Sequence, residues 1–363
     1  MVDHRPHLGA LGRAGPAGGV RLRWLGSAIG LSDDRTRRSN VAAAMIRLED
    51  TSGAEVAAAI AAERHRQGSP TTGMVMTLLI LADEEHQEEA TSAAVRAARQ
   101  HPMRIITVIP RPSSSPAPAR LDALVSVGGD DGPGELAILR LRGSLAEHAG
   151  SVVIPLLLAD TPIVAYWPGT PPPDPSVDHI GRHATRRITD ATMALDPSAE
   201  LQARASTYAP GDSDLAWTRL TAWRTVLAGS LDTHPTPHIE EVVIEAGSGL
   251  PTAALLGAWL GLRLAVPVRI VEVDSTHIEA VTLATPDGPI DVRRRPASSS
   301  ARDHTHDDGR WQNATLSRPG APATGIMLPI RGLDELLAEE LRHLAPDSEY
   351  GAVVQSMAAS GSS

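Results

Sequence analysis

The chain has 363 residues and a formal net charge of −10. This acidity argues against nucleic acid as a partner, because a polyanion is repelled by a chain of the same sign. Cysteine is absent and all 33 basic residues are arginine, so the chain has no thiolate nucleophile, Schiff-base lysine or P-loop lysine.

The first 40 residues carry arginines and glycines but no apolar run that could form a core. The short run LGSAIGL lies too far from the start to serve as the apolar region of a signal peptide. We therefore predict a disordered extension over residues 1–40 and a cytoplasmic protein.

Residues 41–170 have the pattern of an N-terminal α/β domain. A helix is predicted from about 41 to 66, and the continuous apolar run TGMVMTLLILAD that follows is typical of a buried strand. The next helix has an acidic first turn, a basic last turn and an alanine stripe for packing on a sheet. Because another strand follows it, we predict a parallel pair of strands. The other predicted elements of this domain are strands at 103–111, 121–128, 135–143 and 163–167 and a helix at 144–158.

A long apolar stretch, SVVIPLLLADTPIVAYWPGTPPP, covers residues 151–173. A membrane-spanning helix needs roughly 20 uninterrupted apolar residues, and Pro155, Asp160 and Pro162 interrupt this stretch. We predict no membrane segment here, but a helix followed by a buried strand that ends at Trp167. The triple proline after it marks the predicted end of the first domain.

Residues 171–351 have the pattern of a C-terminal α/β domain that contains a second strand–helix–strand unit. The low-complexity tail over 352–363 is predicted to be disordered. The two packed α/β domains would therefore contain mixed sheets between disordered termini. In the second domain the predicted helices are 197–206, 214–231, 251–264 and 333–344, and the predicted strands are 240–246, 266–273, 276–284, 289–294, 311–317 and 324–329.

The stretch EAGSGLPT occupies the place of a dinucleotide-binding turn, because it follows a strand and opens a helix. Gly247 and Gly249 match the first two glycines of the fingerprint, but Thr252 replaces the third. Two interpretations stay open: a tight turn without a ligand, and a nucleotide or sugar-phosphate site at Gly247–Thr252. Because the fingerprint is incomplete, we predict no cofactor.

The sequence contains no recognisable catalytic set. A G-x-S-x-G nucleophile elbow is missing, and carboxylate pairs such as Glu339–Glu340 fall on the polar faces of predicted helices. His304 and His306 alternate as metal ligands can, but they lie in a polar loop that solvation explains better. We predict no catalytic residue and no metal.

Tryptophan and arginine meet in the predicted helix LAWTRLTAWRTVLAGSL, residues 215–231. Trp223 belongs to its apolar stripe, and Trp217, Arg219 and Arg224 flank that stripe. A tryptophan beside an arginine is typical of an interaction hot spot, and equally of a stacked pair inside the protein. Composition leaves both interpretations open.

Several blocks of the sequence, in order, resemble the OpcA family of glucose-6-phosphate dehydrogenase assembly proteins. The resemblance runs from about residue 41 to 351. It lies in RLDALVSVGGDDGPGELAILRLRGSLAEHAGSVVIPLLLADTPIVAYWPG, RRITDA, YAPGDSDLAWTRLTAWRTVLAGSLD and AEELRHLAPDSEYG.

The resemblance implies a non-catalytic partner that binds glucose-6-phosphate dehydrogenase and promotes its assembly or activity, which supports NADPH supply through the oxidative pentose phosphate pathway. The alternative is an enzyme or sensor that binds a nucleotide or sugar phosphate at the glycine turn. Redox control described for some members depends on cysteines and does not transfer to this chain. The residues predicted to contact the partner are Trp167, Arg187, Asp190, Trp217, Arg219 and Arg224.

Overall fold

Two mixed β-sheets and ten α-helices make up the described part of the chain, in agreement with the predicted α/β class. The predicted extension over residues 1–40 and the histidine loop at 304–306 lie outside the described residues. The computed structural model describes residues 45–67, 74–112, 118–128, 134–158, 160–232, 237–295 and 311–361.

The helices are numbered in chain order. No helix in the described ranges is long and apolar enough to cross a membrane. Their bounds are α1 Gly53–Gln67, α2 Gln87–Ala97, α3 Ser144–Glu147, α4 Ala149–Val153, α5 Pro197–Ser206, α6 Leu215–Thr218, α7 Thr221–Leu231, α8 Pro251–Leu264, α9 Leu333–Glu340 and α10 Ser348–Gly361.

The first sheet has eight strands in the order β1-β4-β5-β3-β2-β6-β7-β8. The six strands from β5 to β8 in this order run parallel, and β4 and β1 extend the sheet through antiparallel pairs. The bounds are β1 Ile46–Leu48, β2 Met76–Leu81, β3 Met103–Arg111, β4 Arg120–Val127, β5 Glu135–Arg142, β6 Ile163–Tyr166, β7 Arg186–Thr189 and β8 Asp212–Asp214.

Strand β2 and helix α2 show why the first sheet forms. Five of the six residues of β2 are buried, because helices cover both faces of a parallel sheet. The predicted parallel pairing of β2 with β3 is confirmed. The alanine stripe of α2 is also confirmed as buried, and it comprises Ala90, Ala93, Ala94, Ala97 and Ala98.

The second sheet has six strands in the order β10-β9-β11-β12-β13-β14. Helix α8 connects β9 to β10, which pair in parallel, and every other neighbouring pair is antiparallel. The bounds are β9 Glu241–Ala246, β10 Val268–Glu272, β11 Ile278–Ala284, β12 Ile290–Arg294, β13 Trp311–Arg318 and β14 Ala321–Pro329.

The first sheet continues beyond residue 170, where the sequence analysis placed the domain boundary. Strands β7 and β8 lie after the triple proline and extend the sheet from β6. Helix α9, late in the chain, packs against α2. At this contact the His101 ring nitrogen Nε2 lies 2.9 Å from the carbonyl oxygen of Ala338.

The predicted disordered tail after residue 351 is wrong for the residues up to 361, because α10 runs through them. Tyr350, Val353 and Val354 are almost fully buried and share one side of this helix. The helix packs against α8 and α5. The low-complexity composition of the tail therefore did not indicate the short apolar stripe by which this helix packs.

Candidate partner-binding surface

Trp217 lies inside the protein at 1 % exposure. Its indole Nε1 donates a hydrogen bond of 2.9 Å to the Asp347 carboxylate. The Arg224 guanidinium stacks 3.7 Å from the centre of the indole ring, and the Tyr350 ring packs 6.0 Å away. The stacked intramolecular pair, one of the two open interpretations, is therefore present.

Arg187 and Trp167 are also buried, at 7 % and 5 % exposure. The Arg187 guanidinium pairs with Asp212 and donates to the carbonyl oxygens of Ala184 and Pro210, at 3.0 and 2.7 Å. The Trp167 ring lies directly against the backbone of Gly181, where an added Cβ would be 3.1 Å from the ring. These contacts of both side chains are therefore with other residues of the same chain.

Asp190 and Arg219 form a two-pronged ion pair at the carboxyl end of β7. Both guanidinium nitrogens of Arg219 lie 2.8 Å from the Asp190 carboxylate oxygens. The carboxylate is almost fully buried, whereas the Arg219 side chain is 30 % exposed. Bidentate geometry of this kind makes the pair stronger than an ordinary surface ion pair.

Asp214, which the sequence analysis did not single out, lies beside this pair at 0 % exposure. Its carboxyl group accepts hydrogen bonds from the Thr189 hydroxyl at 2.6 Å, the Ala191 N–H at 3.0 Å and the Ala216 N–H at 2.8 Å. Burial raises its pKa, and the nearby Asp190 charge raises it further. The three hydrogen bonds lower the pKa and offset part of this increase, so the pKa rises from 3.8 to about 6 overall.

This pKa predicts a pH-dependent contribution to stability. The folded pKa lies above the unfolded value, so the contribution is fully present below pH 3.8 and is lost as pH rises through about 6. The unfolding free energy of the native chain minus that of Asp214→Asn should fall by about 1–3 kcal/mol between about pH 4 and 7. Denaturant titrations measure it, and a constant or rising difference would contradict the assignment.

Glu340 is the centre of a second buried cluster, and the sequence interpretation of Glu339–Glu340 as a solvated pair is wrong for this residue. Glu340 is 6 % exposed and forms an ion pair with Arg186, which is 4 % exposed. The hydroxyl groups of Ser213 and Thr218 donate to the same carboxylate. The cluster joins α9 to β7, β8 and α6.

The helical spacing of α9 contains the signal that could have revealed Glu340. Leu336 and Leu337 are buried, and Glu340 follows them at the spacing that returns to the same helix face. A carboxylate on an apolar stripe needs a buried cation, and Arg186 supplies it.

The six residues predicted to contact a partner thus lie largely in the interior. Trp167, Arg187, Asp190 and Trp217 are buried, and Arg219 and Arg224 are partly exposed at its margin. Their direct contact with a partner stays a prediction. Their contacts within the chain join β7 to β8 through the Arg187–Asp212 pair, and α6 to α10 through the packing of Trp217 against Tyr350.

The glycine turn at Gly247–Thr252 is explained by packing. A Cβ on Gly247 would lie 1.9 Å from the Ser275 carbonyl oxygen, so the neighbouring loop admits only glycine there. Gly249 adopts a φ of 68°, which glycine reaches without strain. The Ser248 hydroxyl donates a hydrogen bond of 2.8 Å to Glu272, the last residue of β10, so this turn is also bonded to the neighbouring strand.

Metal ligands do not gather in the described ranges, where no group of three or more His, Asp or Glu side chains could hold an ion. The His86 ring nitrogen Nδ1 lies 2.8 Å from the Asp83 carboxylate at the end of β2, as a pair without a third ligand.

An open groove lies between the end of the second sheet and α9. Unlike the six residues predicted to contact a partner, it includes large apolar side chains that are exposed. Its volume is about 360 Å³. Trp311 is 47 % exposed and Ile330 is 51 % exposed. We call it the Trp311 groove, and its lining includes Gln100, Trp311, Pro329, Ile330, Arg331 and Arg342.

Charged residues border this groove on the α9 side. Arg331 pairs with Glu339, and Glu339 also accepts a hydrogen bond of 2.6 Å from Thr221. Arg342 is exposed and forms no ion pair with a residue that the structure describes. An exposed tryptophan beside arginines has the composition of an interaction hot spot.

Two family models match the chain in sequence order. The model described as glucose-6-phosphate dehydrogenase subunit N-terminal domain matches residues 94–206, and the C-terminal domain model of the same subunit matches residues 210–354. The two matches together span well over half of the chain. The chain belongs to this family. No curated protein matches it.

The family assignment confirms the resemblance found in the sequence and ties the chain to glucose-6-phosphate dehydrogenase. In this chain the border between the two family domains falls after residue 206, later than residue 170. Gln100 belongs to the N-terminal family domain, whereas Trp311, Ile330 and Arg342 belong to the C-terminal one. The Trp311 groove therefore forms where the two family domains meet.

Proposed function

We propose that this chain is a non-catalytic subunit that binds glucose-6-phosphate dehydrogenase and promotes its assembly into an active oligomer. It would thereby support NADPH supply through the oxidative pentose phosphate pathway. The observation that carries the proposal is the ordered match of both subunit domain models over residues 94–354.

The charged interior supports a structural role for the buried acidic and basic residues. Glu340 and Arg186 pair with each other, and Asp190 pairs with Arg219. The Arg187 guanidinium forms an ion pair with Asp212 and donates hydrogen bonds to two backbone carbonyl groups. These partners lie within the chain, so the buried charges stabilise the fold and do not face a substrate.

The Trp311 groove is the surface that we propose for the dehydrogenase. It combines a half-exposed tryptophan, Ile330 and the exposed Arg342. Interfaces concentrate binding energy in tryptophan and arginine side chains of this kind. The Glu340 cluster lies behind it and fixes α9, which forms one wall.

The mass of the mixture tests the binding step. The purified chain is mixed at increasing ratios with the glucose-6-phosphate dehydrogenase of the same source, and light scattering measures the mass of each species. We expect a complex that contains both proteins and more dehydrogenase subunits than the enzyme alone. Unchanged masses at micromolar concentrations, with both proteins folded, would refute the proposal.

A further inference from the structure

Strand β14 is the outermost described strand of the second sheet, and only β13 pairs with it. It runs for nine residues, APATGIMLP, and carries no charged side chain. Six of these residues are exposed, including Met327 at 61 %. Within the described residues, the outer edge of β14 therefore presents backbone N–H and C=O groups that no neighbouring strand pairs.

Natural proteins protect such edges with charged side chains, prolines, bulges or short strands. Here Pro322 and Pro329 lie near the ends of β14 and leave the run ATGIML between them free of proline. The register irregularity in the β13–β14 pair lies between Leu316 and Arg318, beside the hairpin turn. The unprotected part is thus a template of about six residues, the length of an ordinary strand.

The Trp311 groove continues from the end of this edge. Trp311 pairs with Pro329 across the ladder, and Ile330 directly follows β14. Trp311 and Pro329 lie opposite each other in the ladder and therefore project from the same face of the sheet. Met327 lies two residues before Pro329 on β14, so it projects from that face as well. Backbone pairing with adjacent side-chain pockets is the arrangement by which an added strand gains affinity and specificity.

A second copy of this chain fits the edge poorly. Antiparallel pairing of two β14 strands about Gly325 would bring Arg318, at the turn end of one copy, towards the groove end of the other copy, where the exposed Arg342 lies. Arg318 at the turn end of the edge and Arg342 in the groove favour an extended segment with acidic residues beyond its apolar centre.

We propose that an extended, apolar segment of the dehydrogenase, flanked by acidic residues, adds to β14 as a seventh strand of the second sheet. This inference rests on the proposed function and specifies how the partner is held. Main-chain hydrogen bonds to the run 323–328 would position the segment, and a side chain of the segment would enter the Trp311 groove.

Amide hydrogen exchange tests the added strand directly. The full chain is measured alone and with saturating dehydrogenase, and the masses of both samples are recorded. We expect slower exchange of amides within residues 323–328 when the complex is present. A complex with unchanged exchange in this run would overturn the strand addition and leave the proposed function standing. Absence of any complex would overturn both. Protection in the chain alone, with a dimer mass, would identify a second copy as the occupant and overturn the proposal.

Two adjacent proline variants provide a matched pair. Consecutive residues of a strand direct their backbone groups to opposite edges, so one of Thr324 and Gly325 faces β13 and the other faces outward. We expect one of Thr324→Pro and Gly325→Pro to keep the melting temperature and to weaken dehydrogenase binding more than about 10-fold. Unchanged binding by the variant that keeps its melting temperature would overturn the proposal.

Discussion

Glu340→Ala should lower the free energy of unfolding by about 3–5 kcal/mol, because it removes the carboxylate from a buried ion pair and leaves the Arg186 guanidinium without its charge partner. The hydroxyl groups of Ser213 and Thr218 lose their acceptor at the same time. Denaturant titration at neutral pH measures the change. Dehydrogenase binding should also weaken, because α9 forms a wall of the Trp311 groove.

The neighbouring residue supplies the control for this substitution. Glu339 pairs with Arg331, and the Glu339 and Arg331 side chains are 29 % and 25 % exposed. Glu339→Ala should therefore cost only about 0–1 kcal/mol. Equal losses from the two variants would contradict the view that the Glu340 cluster is a buried structural centre.

Trp311→Ala should weaken dehydrogenase binding by about 30-fold or more, which corresponds to the roughly 2 kcal/mol typical of an interface hot spot. The indole is 47 % exposed in the free chain and adds little to the core. The melting temperature should therefore change by only a few degrees. A binding titration that follows enzyme activity or complex mass measures the loss.

Ile270→Ala is the matched control for this second substitution. Ile270 is 42 % exposed and lies on β10, the opposite edge strand of the same sheet. Binding by this variant should be close to native. Equal weakening by both variants would indicate a general effect on the second sheet, and native binding by Trp311→Ala would exclude the Trp311 groove as the docking surface.

Local signals in the sequence were sufficient for the elements that they specify. The continuous apolar run of β2 and the acidic and basic ends of α2 predicted a parallel strand–helix–strand unit, which is present. Helix α8 and strand β3 occupy the predicted ranges 251–264 and 103–111. In each case the hydrophobic period and the end residues point to the same element.

Strands β7 and β8 show where such signals end. They have four and three residues, and they join the first sheet through non-local parallel pairs beyond the triple proline. A segment this short carries no period from which its neighbour can be inferred. The domain boundary was predicted at the proline-rich turn near residue 170, but strands from both sides of this turn belong to the first sheet.

The tryptophans show why the candidate surface could not be located from composition. Trp217 and Trp311 both have arginines nearby, but one is buried against Asp347 and Arg224 and the other is half exposed. That difference depends on the register of β13 against β14 and on the packing of α9, neither of which is encoded within a few neighbouring residues.

The most direct test of the central claim is a titration of the chain into its cognate glucose-6-phosphate dehydrogenase, with initial rates of NADPH formation and complex masses recorded on the same samples. If the chain is an assembly subunit, the rate rises and saturates at the ratio at which all dehydrogenase enters the heavier complex. A rate and a mass that stay constant across the titration would contradict the account.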